Sequence, residues 1–194
     1  MNADAILRVT QALGARLQQA VIASGDPGTV FIGPLDDTDA VGASLILFLY
    51  RIAPNASLRN REHRVPSNTP PPAVIVHDNA LPLDLYFLLT VGTRPGMSEE
   101  PLLRVLGFAM QALQSDPVIS GAPVNQEPVR LTLEPLTTEE TSRIWALFPT
   151  ANYRTSIAYV ASPVWIDPAL PPIPARVVLE DSLDVGMRAT TEVE

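Results

Sequence analysis

Aspartates 36, 37 and 39, histidines 63 and 77, and arginines 59, 61 and 64 are the residues of this chain whose types and spacing allow chemistry. Asp36, Asp37 and Asp39 offer oxygen ligands to a hard cation, but the EF-hand pattern needs further acidic positions and a closing glutamate that do not follow. A solvated turn is the better account of them. His63 and His77 have no second histidine at ligand spacing and no serine in a nucleophile elbow. His77 followed by Asp78 resembles a base beside its orienting carboxylate, yet adjacent residues rarely face each other, so a plain loop is the simpler reading. Arg59, Arg61 and Arg64, with Glu62 among them, suit either phosphate or protein. No glycine-rich cradle accompanies them, which favours a solvated or protein-facing patch. Trp145 and Trp165 read as core aromatics, with an interface role as the second option. No catalytic residue, metal or cofactor is therefore expected.

Composition narrows the partners. Thirteen basic residues, all arginine, stand against 21 acidic ones, a net charge of -8 that disfavours nonspecific attraction to nucleic acid or anionic membrane. Cysteine is absent, so no disulfide framework or thiolate metal site is possible and the redox compartment is left open. A chain of 194 residues suits one domain that buries about 70% of its unfolded surface. Its longest apolar run, 45–50, is far short of the roughly 18 residues a membrane span needs. The start, MNADAILRVTQ, lacks the basic end and apolar block of a secretory signal, so assembly in the cytosol is expected.

The elements that position these residues follow from periodicity. Ile6, Val9, Leu13, Leu17, Ala20 and Val21 predict a helix over 3–23, capped by Asn2 or Asp4 and stopped at Gly25. A short strand at 29–32 and an acidic loop at 35–39 precede SLILFLYRI, 44–52, which reads as a central strand. Five prolines and four asparagines in 53–80 make a long contact loop, with no regular element before Ala73. Residues 81–91 alternate cleanly and predict a strand antiparallel to 44–52. Ser98 is the expected cap of a second helix, with Leu102, Leu106, Ala109, Met110 and Leu113 as its buried stripe, and 128–134 predicts another strand.

The stretch 136–167 is the most committed, reading as helix, corner and strand. Thr137 and Glu140 form a capping box that starts a helix near Thr138, and Ile144, Trp145 and Phe148 give it an apolar face ending at Pro149. In the strand 155–166, Ile157, Tyr159 and Trp165 are placed on one face, with Ser156, Ala158, Val160, Ser162 and Val164 on the other. Beyond 167 the prolines and acidic residues read as an arm, 168–194. The whole is an α+β domain over 1–167 with a mixed or antiparallel sheet flanked by three helices.

Taken in order, LFLYRI with a downstream LRN, LDLYFLLT, LGFAMQAL ahead of DPV, and SIAY with PVW resemble the N-terminal domain of a known family. It is the tail-terminator, or cap, family of phage-tail-like contractile injection systems of the antifeeding-prophage type, and the resemblance runs from about residue 3 to about 180. It implies a non-enzymatic homohexameric ring that ends the inner tube and sheath at the end away from the baseplate. Functions of extra C-terminal domains in longer relatives are not carried over. Sheath and inner-tube proteins are the implied partners, with no nucleic acid and no membrane insertion. Arg59, Arg61, Arg64, Pro171, Pro172, Arg176, Val177 and Leu179 are the candidate interface residues. A baseplate or tail-completion subunit is the alternative within that particle. Outside it, the rival is a small-molecule-binding or enzymatic domain using Asp36, Asp37, Asp39 and His77.

Overall fold

The computed structural model describes residues 3–67, 73–94, 96, 98–124, 126–169 and 173–175. Helix α1 spans Ala5–Ala23, and its buried positions Val9, Leu13, Leu17 and Val21 are the apolar stripe of the sequence. Asp4 is its N-cap residue but makes no side-chain capping bond, and Gly25, at φ +80°, turns the chain away. Asn2 lies outside the described residues. Strand β1, Val30–Ile32, runs parallel to β2, Leu45–Pro54, and the connection between them holds a 3-10 turn at Thr38–Ala40.

Strands β3, His63–Ser67, and β4, Ala73–His77, form an antiparallel pair where the sequence reading allowed no element before Ala73. The proline argument fails because β3 is the outer strand of its sheet, where the missing N–H of Pro66 disrupts no central ladder. Strand β5, Leu81–Val91, pairs antiparallel with β2 along nearly its whole length, so no strand is inserted between them.

Helix α2 spans Glu100–Ser115, and its N-cap is Glu99 rather than Ser98, with no side-chain capping bond. Its buried positions are Leu102, Val105, Leu106, Ala109 and Leu113; Met110 is only partly buried. Two short strands follow, β6 at Val118–Ile119 and β7 at Val129–Glu134. Helix α3, Thr138–Trp145, begins at the expected capping box, with Thr137 Oγ1 accepting from the Glu140 N–H and the Glu140 carboxylate accepting from the Thr137 N–H. It stops at Trp145, earlier than Pro149. Two further turns carry the chain to Phe148, whose ring meets Phe48 edge-on at 5.2 Å.

Strand β8, Ser156–Ile166, closes a mixed six-stranded sheet of order β1-β2-β5-β8-β7-β6. Strand β9, Ile173–Ala175, joins β3 and β4 in a separate three-stranded sheet. One face of the large sheet is covered by α1 and α2, where Leu45, Leu47, Leu83, Leu85, Phe87 and Leu89 form the main core. Burying a side chain such as Phe87 stabilises the fold by about 2–3 kcal/mol. On the opposite face Trp145, Leu35 and Ala40 pack over Ile46, Leu88 and Ala158.

The face assignment within β8 changes at Pro163. Leu83 pairs with Val164 and Leu85 with Ala161, so β8 has one residue more than β5 in this interval. The extra residue puts Val164 in the main core with Tyr159 and Ala161, instead of on the Ala158 side. The same irregularity re-aims Trp165, which does not share the face of Tyr159 as the simple alternation predicts.

A partly buried ion pair fixes the end of the sheet. Asp26, after α1, accepts hydrogen bonds from Arg94 Nη1 at 2.8 Å, Ser44 Oγ at 2.6 Å and the Gly28 N–H at 2.9 Å. These bonds, with the guanidinium foremost, hold the Asp26 carboxyl down to about 2. Beside them Gly92 is required by a close approach: a Cβ there would lie 1.9 Å from the Ala43 carbonyl oxygen.

Candidate functional site

The β3–β4 pair sets His63 opposite His77, and their rings stack with centroids 5.9 Å apart. The re-aimed Trp165 lies flat on the same His63 ring, centroids 4.5 Å apart and planes 7° apart. Two residues beyond Trp165, the Asp167 carboxylate accepts a hydrogen bond from His63 Nδ1 at 2.6 Å. With Nδ1 donating, the neutral ring keeps its lone pair on Nε2, which faces Glu127 Oε1 at 3.7 Å. That separation is too long for a hydrogen bond. Glu127 comes from the loop between the 3-10 turn Ala122–Val124 and β7.

The His63, Asp167 and Glu127 side chains are only 7%, 9% and 20% exposed, so the cluster is taken out of water. Burial, and then the charge of Asp167, pushes the Glu127 carboxyl up to about 7. His77 Nδ1 is buried without a hydrogen-bond partner among the described residues. The cluster opens on a cleft of about 600 Å³ whose walls include Arg61, Glu62, Arg64, Val65, Pro128 and Trp165.

Other expected site residues lie apart from this cluster. Asp37 caps the 3-10 turn by accepting the Asp39 N–H at 2.9 Å, and Asp36 faces the Thr150 hydroxyl, in keeping with a turn role. Asp78 is exposed and is not the carboxylate paired with a histidine. Arg59, Arg61 and Arg64 are all exposed, with Arg64 bonded to Glu62 at 2.8 Å. Trp145 is a core residue whose Nε1 donates to Ser156 Oγ. Pro171, Pro172, Arg176, Val177 and Leu179 lie outside the described residues.

Sequence reasoning placed His63 in a long contact loop with no chemistry of its own and did not single out Glu127 or Asp167. His63 and Asp167 are 104 residues apart, so no local spacing connects them. The available signal was the Trp-x-Asp ending of a strand, an aromatic and a carboxylate delivered together to one end of the sheet.

Solved structures share the fold. The PVC sheath/tube terminator of an extracellular contractile injection system, in its extended state, aligns with a TM-score of 0.58 at 17% identity, over 96% of this chain and 65% of that one. The tube-terminating cap of the anti-feeding prophage aligns with a TM-score of 0.58 at 19% identity, over 91% of this chain and 60% of that one. The chain thus spans somewhat less than two thirds of the length of either structure. No curated protein matches it. The sequence model of the Pvc16 N-terminal domain matches residues 8–180, nearly the whole of the described fold, and the chain belongs to that family.

Proposed function

We propose that this protein is a structural cap that ends the sheath and inner tube of a contractile injection particle as a homohexameric ring. The family match over residues 8–180 carries the reading, and the likeness to two terminator folds supports it. A tube or sheath grows because each ring offers the next one the surface it received, a heterologous contact that propagates without limit. A terminator stops growth by closing its own contacts into a ring, with one face complementary to the last ring and no equivalent face beyond.

The fold provides a surface suited to such closure. Strand β6 pairs only with Val129 and Arg130 of β7, and the outer edge of β7 from Thr132 to Glu134 carries no strand among the described residues. Leu133, on that edge, is half exposed. An unpaired strand edge recruits main-chain hydrogen bonds from a neighbour without demanding a particular sequence. The exposed Arg59, Arg61 and Arg64 and the arm 168–194 provide further contacts to neighbouring subunits or sheath. Within that arm, residues 173–175 pair with β4 of the same chain, so its intersubunit part lies elsewhere.

Labelling the subunit in purified particles and imaging them tests the proposal. The label is expected at the end away from the baseplate. A label at the baseplate would instead favour a baseplate or tail-completion subunit.

A further inference from the structure

We infer that His63 and Glu127, with Asp167 orienting the imidazole from behind, form a binding site for a divalent transition metal, zinc being the best fit, which clips the three-stranded sheet to the main domain. One donor atom from each of the three residues lies within 4.8 Å of the other two. Nε2 of His63 and Oε1 of Glu127, 3.7 Å apart, are too distant to bond to each other. They are close to the span of roughly 3.4 Å between two ligands of a tetrahedral ion whose metal–ligand bonds are about 2.0–2.2 Å. Asp167 holds Nδ1–H from behind, the carboxylate–histidine arrangement that fixes a metal-binding ring in the correct tautomer and orientation. Trp165, stacked on the ring, fixes it further.

Charge points the same way. Two carboxylates share this largely dehydrated cluster, and burial together with the charge of Asp167 disfavours ionising Glu127; a divalent cation on Glu127 offsets that cost. The imidazole selects zinc and its neighbours over magnesium, which prefers an all-oxygen shell. The adjoining cleft lets the ion enter and lets water complete its coordination. Because His63 belongs to β3 and Glu127 precedes β7, the ion ties those two segments together, and the His63–Asp167 hydrogen bond behind the ring adds the end of β8. None of this depends on the cap reading.

The test uses the full chain without an affinity tag, stripped with chelator and titrated with zinc chloride at pH 7.5. One equivalent of zinc should bind and raise the thermal midpoint, with magnesium chloride giving neither effect. Glu127→Gln keeps the side-chain shape and should weaken zinc binding at least tenfold; Glu62→Gln, at the exposed surface, should leave it unchanged. X-ray absorption of the zinc-loaded wild type, which needs no variant, should show imidazole in the metal shell. Absence of saturable zinc binding, equal affinity in Glu127→Gln, or an all-oxygen shell would overturn the inference.

Discussion

The indole of Trp165 and the imidazole of His63 lie almost parallel, 7° apart in plane and 4.5 Å between centroids, and this stack joins the last strand of the main sheet to the three-stranded sheet. The contact depends on the extra β8 residue opposite Leu83 and Leu85, which re-aims the end of that strand. A local irregularity in one ladder thereby determines how a second sheet is held.

Trp165→Ala is accordingly expected to destabilise the protein by about 3 kcal/mol, the low end of the roughly 3–5 kcal/mol for truncating a core aromatic, because the indole is only partly buried. The effect should be regional. Amide hydrogen exchange at 63–67 and 73–77 should accelerate more than at 81–91, whose strand is held by neighbours on both sides. Uniform acceleration over both sheets would count against the stack as the joint.

Asp26 supplies a pH-dependent term. Its carboxyl is held at about 2 in the folded chain against 3.8 for the free side chain, so its stabilisation is complete above about pH 4 and is lost as pH falls through 2. Asp26→Asn should cost about 1–3 kcal/mol at pH 7, the scale of a charge-assisted hydrogen bond. Urea titrations of both proteins from pH 7 to pH 2 should show that difference shrinking at the acid end. A constant difference would mean that the Arg94 pair is not its source.

Gly92→Ala should destabilise by about 1–3 kcal/mol or more, because the new methyl meets backbone that cannot rotate away. Gly107→Ala, whose Cβ meets nothing within 4 Å, is the control. It should be neutral or mildly stabilising, since alanine favours a helix interior. Comparable losses in the two variants by thermal unfolding would refute the close-approach argument.

Where the chain's local chemistry agrees with its tertiary setting, the sequence was legible. Thr137 and Glu140 specify the start of α3, and alternation from Leu83 to Val91 specifies which face of β5 enters the core. Two features escaped. Pro66 argued against a strand because sequence alone does not reveal that β3 is an edge, and the period of two along β8 breaks at Pro163, a bulge marker that the simple alternation passed over. The candidate site was hidden for a related reason. His63 acquires meaning only from Asp167 and Glu127, which pairing of distant strands delivers to it.

Tail length in cells lacking this chain is the most direct measure of the cap account. Electron microscopy of particles from such cells should show sheaths and tubes of scattered length, or none assembled, with uniform length restored when the intact chain is returned. Tails of unchanged, uniform length in its absence would contradict the account.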